Sequence, residues 1–379
     1  MTGPLLASAA TSPEWTYLVG DLRSGLIAGE LPLYNVRMSK TLGESGTVNA
    51  SLLVSGAVRG DLYQLTTPAR TALYALRGDR VWWGGIIWTR RYNSQSGMLD
   101  VGGADWWSYF NHRKVLPVLN PGDEVSTRVT EFAGDQNQIA RDLVAQAQSH
   151  TGGDIGVQLD GSLSGVERSR TYYGYELNSV GDALTALQNV EGGPDMMFDC
   201  APTLDGQGRP VRLLRIGAPT LGQLGTAHVL EYGGNVAGYS WQSDGARMAT
   251  RWFAVGAGMD YSQLTAWAQN ESRHADGWPL LEGESNYSTV ESLSTLQGHA
   301  EADLWAARLP VALASMDMVP GKSPGVGEIS PGDDARVVID DDFFRAGLDT
   351  RMRVVSITVS PGEVEKATLT MGALTEDVA

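Results

Sequence analysis

Short apolar runs with a period of two dominate this chain, and helical periodicity interrupts them in only a few places. Thr47 to Val54 shows the pattern at its cleanest: Val48, Ala50 and Leu52 oppose Thr47, Asn49 and Ser51. Trp15–Val19, Leu22–Ile27, Leu31–Met38 and Arg70–Leu76 read as further strands. The densest stretch is Arg80–Arg113, which holds Trp82, Trp83, Trp88, Trp106 and Trp107 of the chain's 11 tryptophans. Val81 to Trp88 is apolar on both alternating faces, as in a strand covered on both sides. Gly84-Gly85 inside it predicts a bulge or a sharp bend. Asn93–Gly97 is a turn cluster, and Met98–Val101 returns as the second strand of a hairpin. Asp105 is placed to cap a short helix with Trp106, Trp107 and Phe110 along one side. Core packing accounts for this much indole without a ligand.

The character changes near Leu116. A helix from Asp135 carries Ile139, Leu143, Val144 and Ala147 on one stripe and ends before Gly152-Gly153. A second begins at Ser179, with Asp182 three residues on, and buries Val180, Ala183, Leu184 and Leu187. Strands follow at Met196–Cys200 and Val211–Ile216. From His228 the β pattern returns, at His228–Tyr232, Ala237–Gln242 and Met248–Val255. Residues 256–288 are polar and without a clear period, which predicts an inserted loop region. Ser288 and Glu291 then form a capping box for a helix with Leu293, Leu296, Ala300, Leu304 and Ala307 inward and Pro310 at its end. Val311–Met318, Ala335–Ile339, Met352–Val359 and Ala367–Met371 close the chain as strands.

The fold class is therefore α+β and β-rich. A flexible arm over 1–14 precedes a first β domain over 15–115, a barrel or sandwich by its short, evenly spaced strands. An α+β domain follows over 116–225, then a second β domain over 226–379 with an insertion at about 256–312. No repeat of 20–50 residues is evident in the sequence.

Composition narrows the function. The 379 residues carry a net charge of −16 and no Lys/Arg run, which argues against tight binding of a phosphate backbone. One cysteine, Cys200, excludes an intrachain disulfide framework. No segment approaches the length of an apolar membrane span, and the first residues lack the basic region of a signal peptide. The five histidines show no zinc spacing, and neither a GxSxG elbow nor a Walker A loop occurs. GGNVAG at 233–238 does not match a dinucleotide loop. Cys200 sits in an apolar strand, the setting of an inert thiol. Asp333-Asp334 and Asp340–Asp342 are the densest carboxylates, and solvated turns are their usual meaning. No catalytic residue, cofactor site or metal site is predicted.

The order of motifs from Gly78 to Phe110, GD, then VWWGGIIW, a turn, a returning strand and an aromatic helix, resembles minor tail proteins of actinobacterial siphophages, and more broadly the baseplate-hub fold. Residues 231–258, EYGGNVAGYSWQSDGARMATRWFAVGAG, are similar to the opening of the hub's second barrel, and 329–372 to its closing strands. The resemblance implies two tube-like β-barrel domains with interposed α/β domains, assembled as a homotrimer whose six barrels match six-fold tail-tube rings. It implies a non-enzymatic virion component at the phage tail tip, assembled in the host cytoplasm, without cofactors. Such a hub joins the tail tube to the distal tail and the receptor-binding parts, meets the host surface at most indirectly, and lines a channel through which DNA passes without specific binding. The acidic excess fits such a conduit. With the chain ending at residue 379, the expected hub has no appended enzyme. Arg90, Arg91 and Arg113 are the candidate subunit or tail contacts. Two other readings stand beside it. One is a carbohydrate-binding adhesion module, with Trp267 and Trp278 as candidate glycan contacts. The other is a tail-associated cell-wall hydrolase using paired carboxylates.

Overall fold

The computed structural model describes residues 14–54, 61–159, 161–190, 192–288, 290–308 and 311–373. The expected arm lies outside the described residues apart from Glu14, as does the expected helix end at Pro310. Two compact units are formed: one runs through Tyr239 and resumes at Met316, and the other is Ser240–Ser315.

The first unit begins with β1 (Trp15–Asp21), β2 (Ile27–Glu30), β3 (Tyr34–Thr41), β4 (Thr47–Leu53), a short helix α1 (Leu62–Leu65), β5 (Thr71–Arg77), β6 (Arg80–Asn93), β7 (Met98–Ala104) and α2 (Trp106–Asn111). The strand expected over Leu22–Ile27 is a turn instead. The Asp21 carboxylate accepts from the Arg23 and Ser24 amides, and Gly25 takes a positive φ of 69°. Within β6 the sheet bulges at Trp82 and at Trp88, on either side of the glycines rather than at them. Gly84 serves close approach: a Cβ there would sit 2.5 Å from Cys200 Sγ and 2.9 Å from the Trp106 ring.

The chain continues through β8 (Val129–Asp135), α3 (Gln136–Ser149), β9 (Val157–Leu159), β10 (Glu167–Tyr173), α4 (Val180–Gln188), β11 (Met196–Cys200) and β12 (Arg212–Ile216). Asp135 caps α3 and Ser179 caps α4, each through its side-chain oxygen. The helices do not build a core of their own. Ile139, Leu143, Leu184 and Leu187 join Trp106, Trp107 and Phe110 of α2 and Tyr74 of β5 in one buried cluster. Phe110 stacks on Phe198 of β11 with centroids 4.9 Å apart, and Trp107 meets the same ring edge-on at 5.5 Å. Each such ring removes about 150–250 Å² from water, on the order of 4–6 kcal/mol of transfer free energy. Arg212, 3% exposed, pins the cluster: it donates to Tyr74 Oη at 2.7 and 2.9 Å and to Leu22 O at 2.6 Å, 4.7 Å from the Trp106 ring centroid.

β13 (His228–Glu231) and β14 (Val236–Asp244) follow. The second unit holds β15 (Arg251–Val255), β16 (Thr265–Gln269), α5 (Glu271–Ala275), β17 (Glu282–Asn286) and α6 (Leu293–Ala306). β16, β15 and β17 form a three-stranded sheet against which Leu296, Ala300 and Leu304 of α6 pack. The loop region expected over 256–288 is thus corrected to two strands and a short helix. Its buried positions in β16 are the alanines 266 and 268, too small to mark an apolar face, and β17 (EGESN) has no large apolar residue. The helix starts at Leu293 on a Ser292 cap rather than at Ser288. Leu293 itself is 55% exposed.

β18 (Val311–Met318) runs from the second unit into the first, which is completed by β19 (Asp334–Ile339), β20 (Leu348–Ser360) and β21 (Lys366–Ala373). Separate closed barrels are not what the pairings draw. Thirteen strands join in one open sheet, because β20 pairs antiparallel with β3 through Ser356–Val359 against Met38–Thr41. On either side of this junction the strand order is the same. β1-β5-β6-β7-β4-β3 on one side matches β13-β19-β20-β21-β18-β14 on the other, in the same chain order, with β2 extra. A bulge at Trp88 between β6 and β7 recurs at Val355 between β20 and β21. One pairing distinguishes the halves: β1 runs antiparallel to β5, whereas β13 runs parallel to β19.

Asp105 ties the β3–β4 turn to α2. Its carboxylate, 5% exposed, accepts from the Gly46 amide at 2.6 Å, the Trp107 amide at 2.9 Å and Ser45 Oγ at 3.0 Å. Burial outweighs these donors and pushes its pKa up to about 7. The folded protein therefore holds a proton that the unfolded chain releases above about pH 4, and this contribution to stability is lost as pH rises through about 7. Asp105→Asn sets an amide donor against the surrounding donors and should cost about 1–3 kcal/mol. In urea unfolding the penalty should be larger at pH 5 than at pH 8; an equal penalty at both would contradict the assignment.

Candidate assembly interface

The groups that could carry chemistry are engaged in the fold. Cys200 is 5% exposed, and burial with the neighbouring Asp199 charge pushes its thiol up to about 12. Asp333 accepts from the Gln223 and Ser330 amides, and Asp334 from the Gly225 amide. Asp341 accepts from Tyr239 Oη at 2.5 Å and from the Phe343 and Phe344 amides, which hold its carboxyl below the usual range. His112 packs against Trp88, His150 bonds the Leu116 carbonyl, and His299 stacks on Tyr287. Among the described residues no three His, Cys, Asp or Glu side chains are grouped as metal ligands. No helix of the described residues is long and apolar enough to cross a membrane.

The edges of the sheet are where this chain is open. β6 changes character along its length: Val81–Ile87 is buried, whereas Thr89, Arg91, Tyr92 and Asn93 are exposed. β5 leaves its side at Ile86, and among the described residues no strand pairs that edge beyond it. In the other half the matching segment of β20, Ser356–Val359, has β3 on that edge, and Ile357 and Val359 are buried. β14, the counterpart of β3, ends the strand order with β18 as its only described neighbour. The sheet thus carries one junction made within the chain, while among the described residues the corresponding edges of β6 and β14 have no strand partner.

The sequence-predicted arginines divide. Arg91 is exposed on the open edge of β6. Arg90 lies on the same edge, with its guanidinium 3.7 Å from the Tyr63 ring centroid and bonded to the Tyr63 carbonyl. Arg113 points inward, where it donates to the Ala147 carbonyl at 3.0 Å at the end of α3. Trp267 is 53% exposed on β16, while Trp278 is half-buried behind α5 beside Arg273. Sequence reading passed over Trp305, 62% exposed on α6. It sits next to the inward Leu304, off the Leu296–Ala300–Leu304 stripe, a placement that the helical period alone predicts.

The fold is that of phage tail proteins. The 43 kDa tail protein of prophage MuSo2 from Shewanella oneidensis superposes with a TM-score of 0.64 at 12% identity, over 96% of this chain and 100% of that one. A tail protein from Neisseria meningitidis MC58 gives 0.58 at 14% identity, covering 94% and 96%. Prophage tail protein gp18 from Listeria monocytogenes EGD-e gives 0.55 at 12%, covering 94% of each chain. No protein-family model matches the chain, and no curated protein matches it in sequence.

A buried, high-pKa thiol is slow to react. Cys200 should therefore resist an aromatic disulfide reagent at pH 8 in the native protein and react stoichiometrically in denaturant; rapid native labelling would contradict its placement.

Proposed function

We propose that this chain is the hub of a phage tail tip, a structural and non-enzymatic part that assembles as a homotrimer around the channel through which DNA leaves. The observation that carries the reading is the internal repeat of strand order, with its made junction at β3–β20 and its unmade counterparts at β6 and β14. Pairing β14 of one copy with the Thr89–Asn93 edge of the next repeats the β3–β20 contact between chains. Such a contact is heterologous, and it closes into a ring when the rotation permits. Three copies place six like sheet segments around the axis, one per half-chain. This is the pseudo-six-fold arrangement that a six-fold tail tube requires of a three-fold tip. The end-to-end likeness to phage tail proteins supports the same reading.

Charge favours this pairing. β14 ends in Asp244, and the β6 edge carries Arg90 and Arg91. Opposite charges across paired strands stabilise them, and exposed strand edges otherwise invite indiscriminate pairing. The net charge of −16 suits a conduit that must not hold the nucleic acid passing through it. The hub would join the tail tube to distal and receptor-binding parts of the virion, after assembly in the host cytoplasm. The attribution to actinobacterial siphophages rests on the sequence motifs alone.

The test is oligomeric mass by light scattering. The purified protein should be three times the monomer mass. Arg90→Glu with Arg91→Glu should weaken association by roughly tenfold or more, about 1.4 kcal/mol, and adding Asp244→Arg should restore part of it. A wild-type monomer at all concentrations, or a charge-reversed variant that remains fully trimeric, would sink the interface.

A further inference from the structure

Around the junction the two halves of the first unit match residue by residue. The bulges at Trp88 and Val355 align β6 with β20, so that Arg90 answers to Ile357 and Tyr92 to Val359. The next strands agree: Arg90 and Tyr92 pair with Val101 and Leu99 of β7, and Ile357 and Val359 pair with Leu369 and Ala367 of β21. The chain also repeats itself just before β5 and β19. A left-handed residue, Ala69 (φ 61°) in one half and Gly332 (φ 97°) in the other, donates its amide to the Ile87 or the Val354 carbonyl. The amide that follows turns back onto an earlier carbonyl, Arg70 onto Thr67 and Asp333 onto Ser330. Counted back from these bonds, Thr66 answers to Ile329, and Tyr63 of α1 answers to Val326.

Where the junction is made within the chain, these positions are covered. Val326 and Ile357 line one cavity together with Lys40 of β3, the strand that docks there. Val326, Ile357 and Val359 are 8%, 1% and 0% exposed. At the open edge their counterparts stand in solvent: Tyr63 is 68% and Tyr92 55% exposed. Thr66 is buried like Ile329, so α1 is seated on the sheet while Tyr63 stands outward. The Arg90 guanidinium lies 3.7 Å from the Tyr63 ring centroid and bonds the Tyr63 carbonyl, which keeps the ring beside the edge. Alternation along β14 puts Asp244 on the face of the buried Val236, as β3 carries Lys40 on the face of the buried Met38. We propose that α1 is a strap over the subunit junction, with Tyr63 and Tyr92 packed against β14 of a second copy on either side of Arg90. The two rings supply the apolar part of a contact whose charged part is Arg90 with the neighbour's Asp244. Aromatic rings beside an arginine are the composition enriched at the buried centre of interfaces. The strap rests on the β6–β14 pairing proposed above and adds to its ladder a layer of side chains.

Hydroxyl-radical footprinting of the full-length protein, with light scattering to follow its mass, tests the strap. Tyr63 and Tyr92 should be oxidised readily in protein diluted below its association midpoint and should be protected severalfold above it. Tyr261, fully exposed in the second unit, should react alike in both. Tyr63→Ala should raise the dissociation constant roughly tenfold, and Tyr63→Phe, which keeps the ring, should retain most of the affinity. The footprint is read on the wild-type chain, so it decides the matter even if the alanine variant misfolds. A trimer that Arg90→Glu with Arg91→Glu weakens, but in which Tyr63 stays reactive or Tyr63→Ala leaves association unchanged, overturns the strap and spares the pairing. A protein that never associates overturns both.

Discussion

Four residues of β20, Ser356–Val359, pair with four of β3, Met38–Thr41, and the first unit's sheet is continuous only because of them. Without that ladder there would be two sheets of like strand order instead of one of thirteen strands. Polar contacts on both sides fix it. Glu365 accepts from Arg77 Nε and Nη2 at 2.9 Å and from Trp15 Nε1 at 2.9 Å, which ties the β20–β21 turn to β5 and β1. Trp83 donates to the Ser39 carbonyl at 2.9 Å, and Lys40 bridges to Asp199 at 2.7 Å. These half-buried charge-assisted bonds position the junction; the apolar residues beneath it supply more of the stability.

The α+β segment between the halves acts as a buttress. Its helices bury their apolar stripes against α2 and β5 rather than against one another alone, and Arg212 reaches back to Tyr74 and Leu22. The insertion between β14 and β18 is the opposite case, a small unit with its own core of alanines and leucines. In the first half, the equivalent connection is the tight β3–β4 turn around Gly43 and Gly46. One hairpin position is thus closed with glycine where Asp105 must reach the backbone, and opened in the other half into a unit with its own core.

Much of the local structure was legible in the sequence. The β6–β7 hairpin and the capped helices α2, α3 and α4 follow from alternation, turn residues and Asp or Ser at the N-caps. The Leu22–Leu26 turn was missed because an Asx turn at Asp21 overrides strand propensity. β16 and β17 were missed because alanine and glycine fill their inward positions. No short sequence period marks the repeat. It lies in which strands pair, a non-local property that side chains of any apolar shape can satisfy. Of the five candidate contact residues, Arg91 and Trp267 are exposed, whereas Arg90 lies on Tyr63, Arg113 turns inward and Trp278 is half-buried. Trp305 was hidden in a helix read only for its inward stripe.

The central claim is that the junction seen once within the chain recurs between chains. A cryo-electron microscopy map of the purified oligomer tests it most directly. The account predicts a three-fold ring in which β14 of each copy lies hydrogen-bonded along Thr89–Asn93 of its neighbour, so that the sheet runs unbroken around the channel. A ring that leaves that edge of β6 in solvent, or that joins copies through other surfaces, would contradict it.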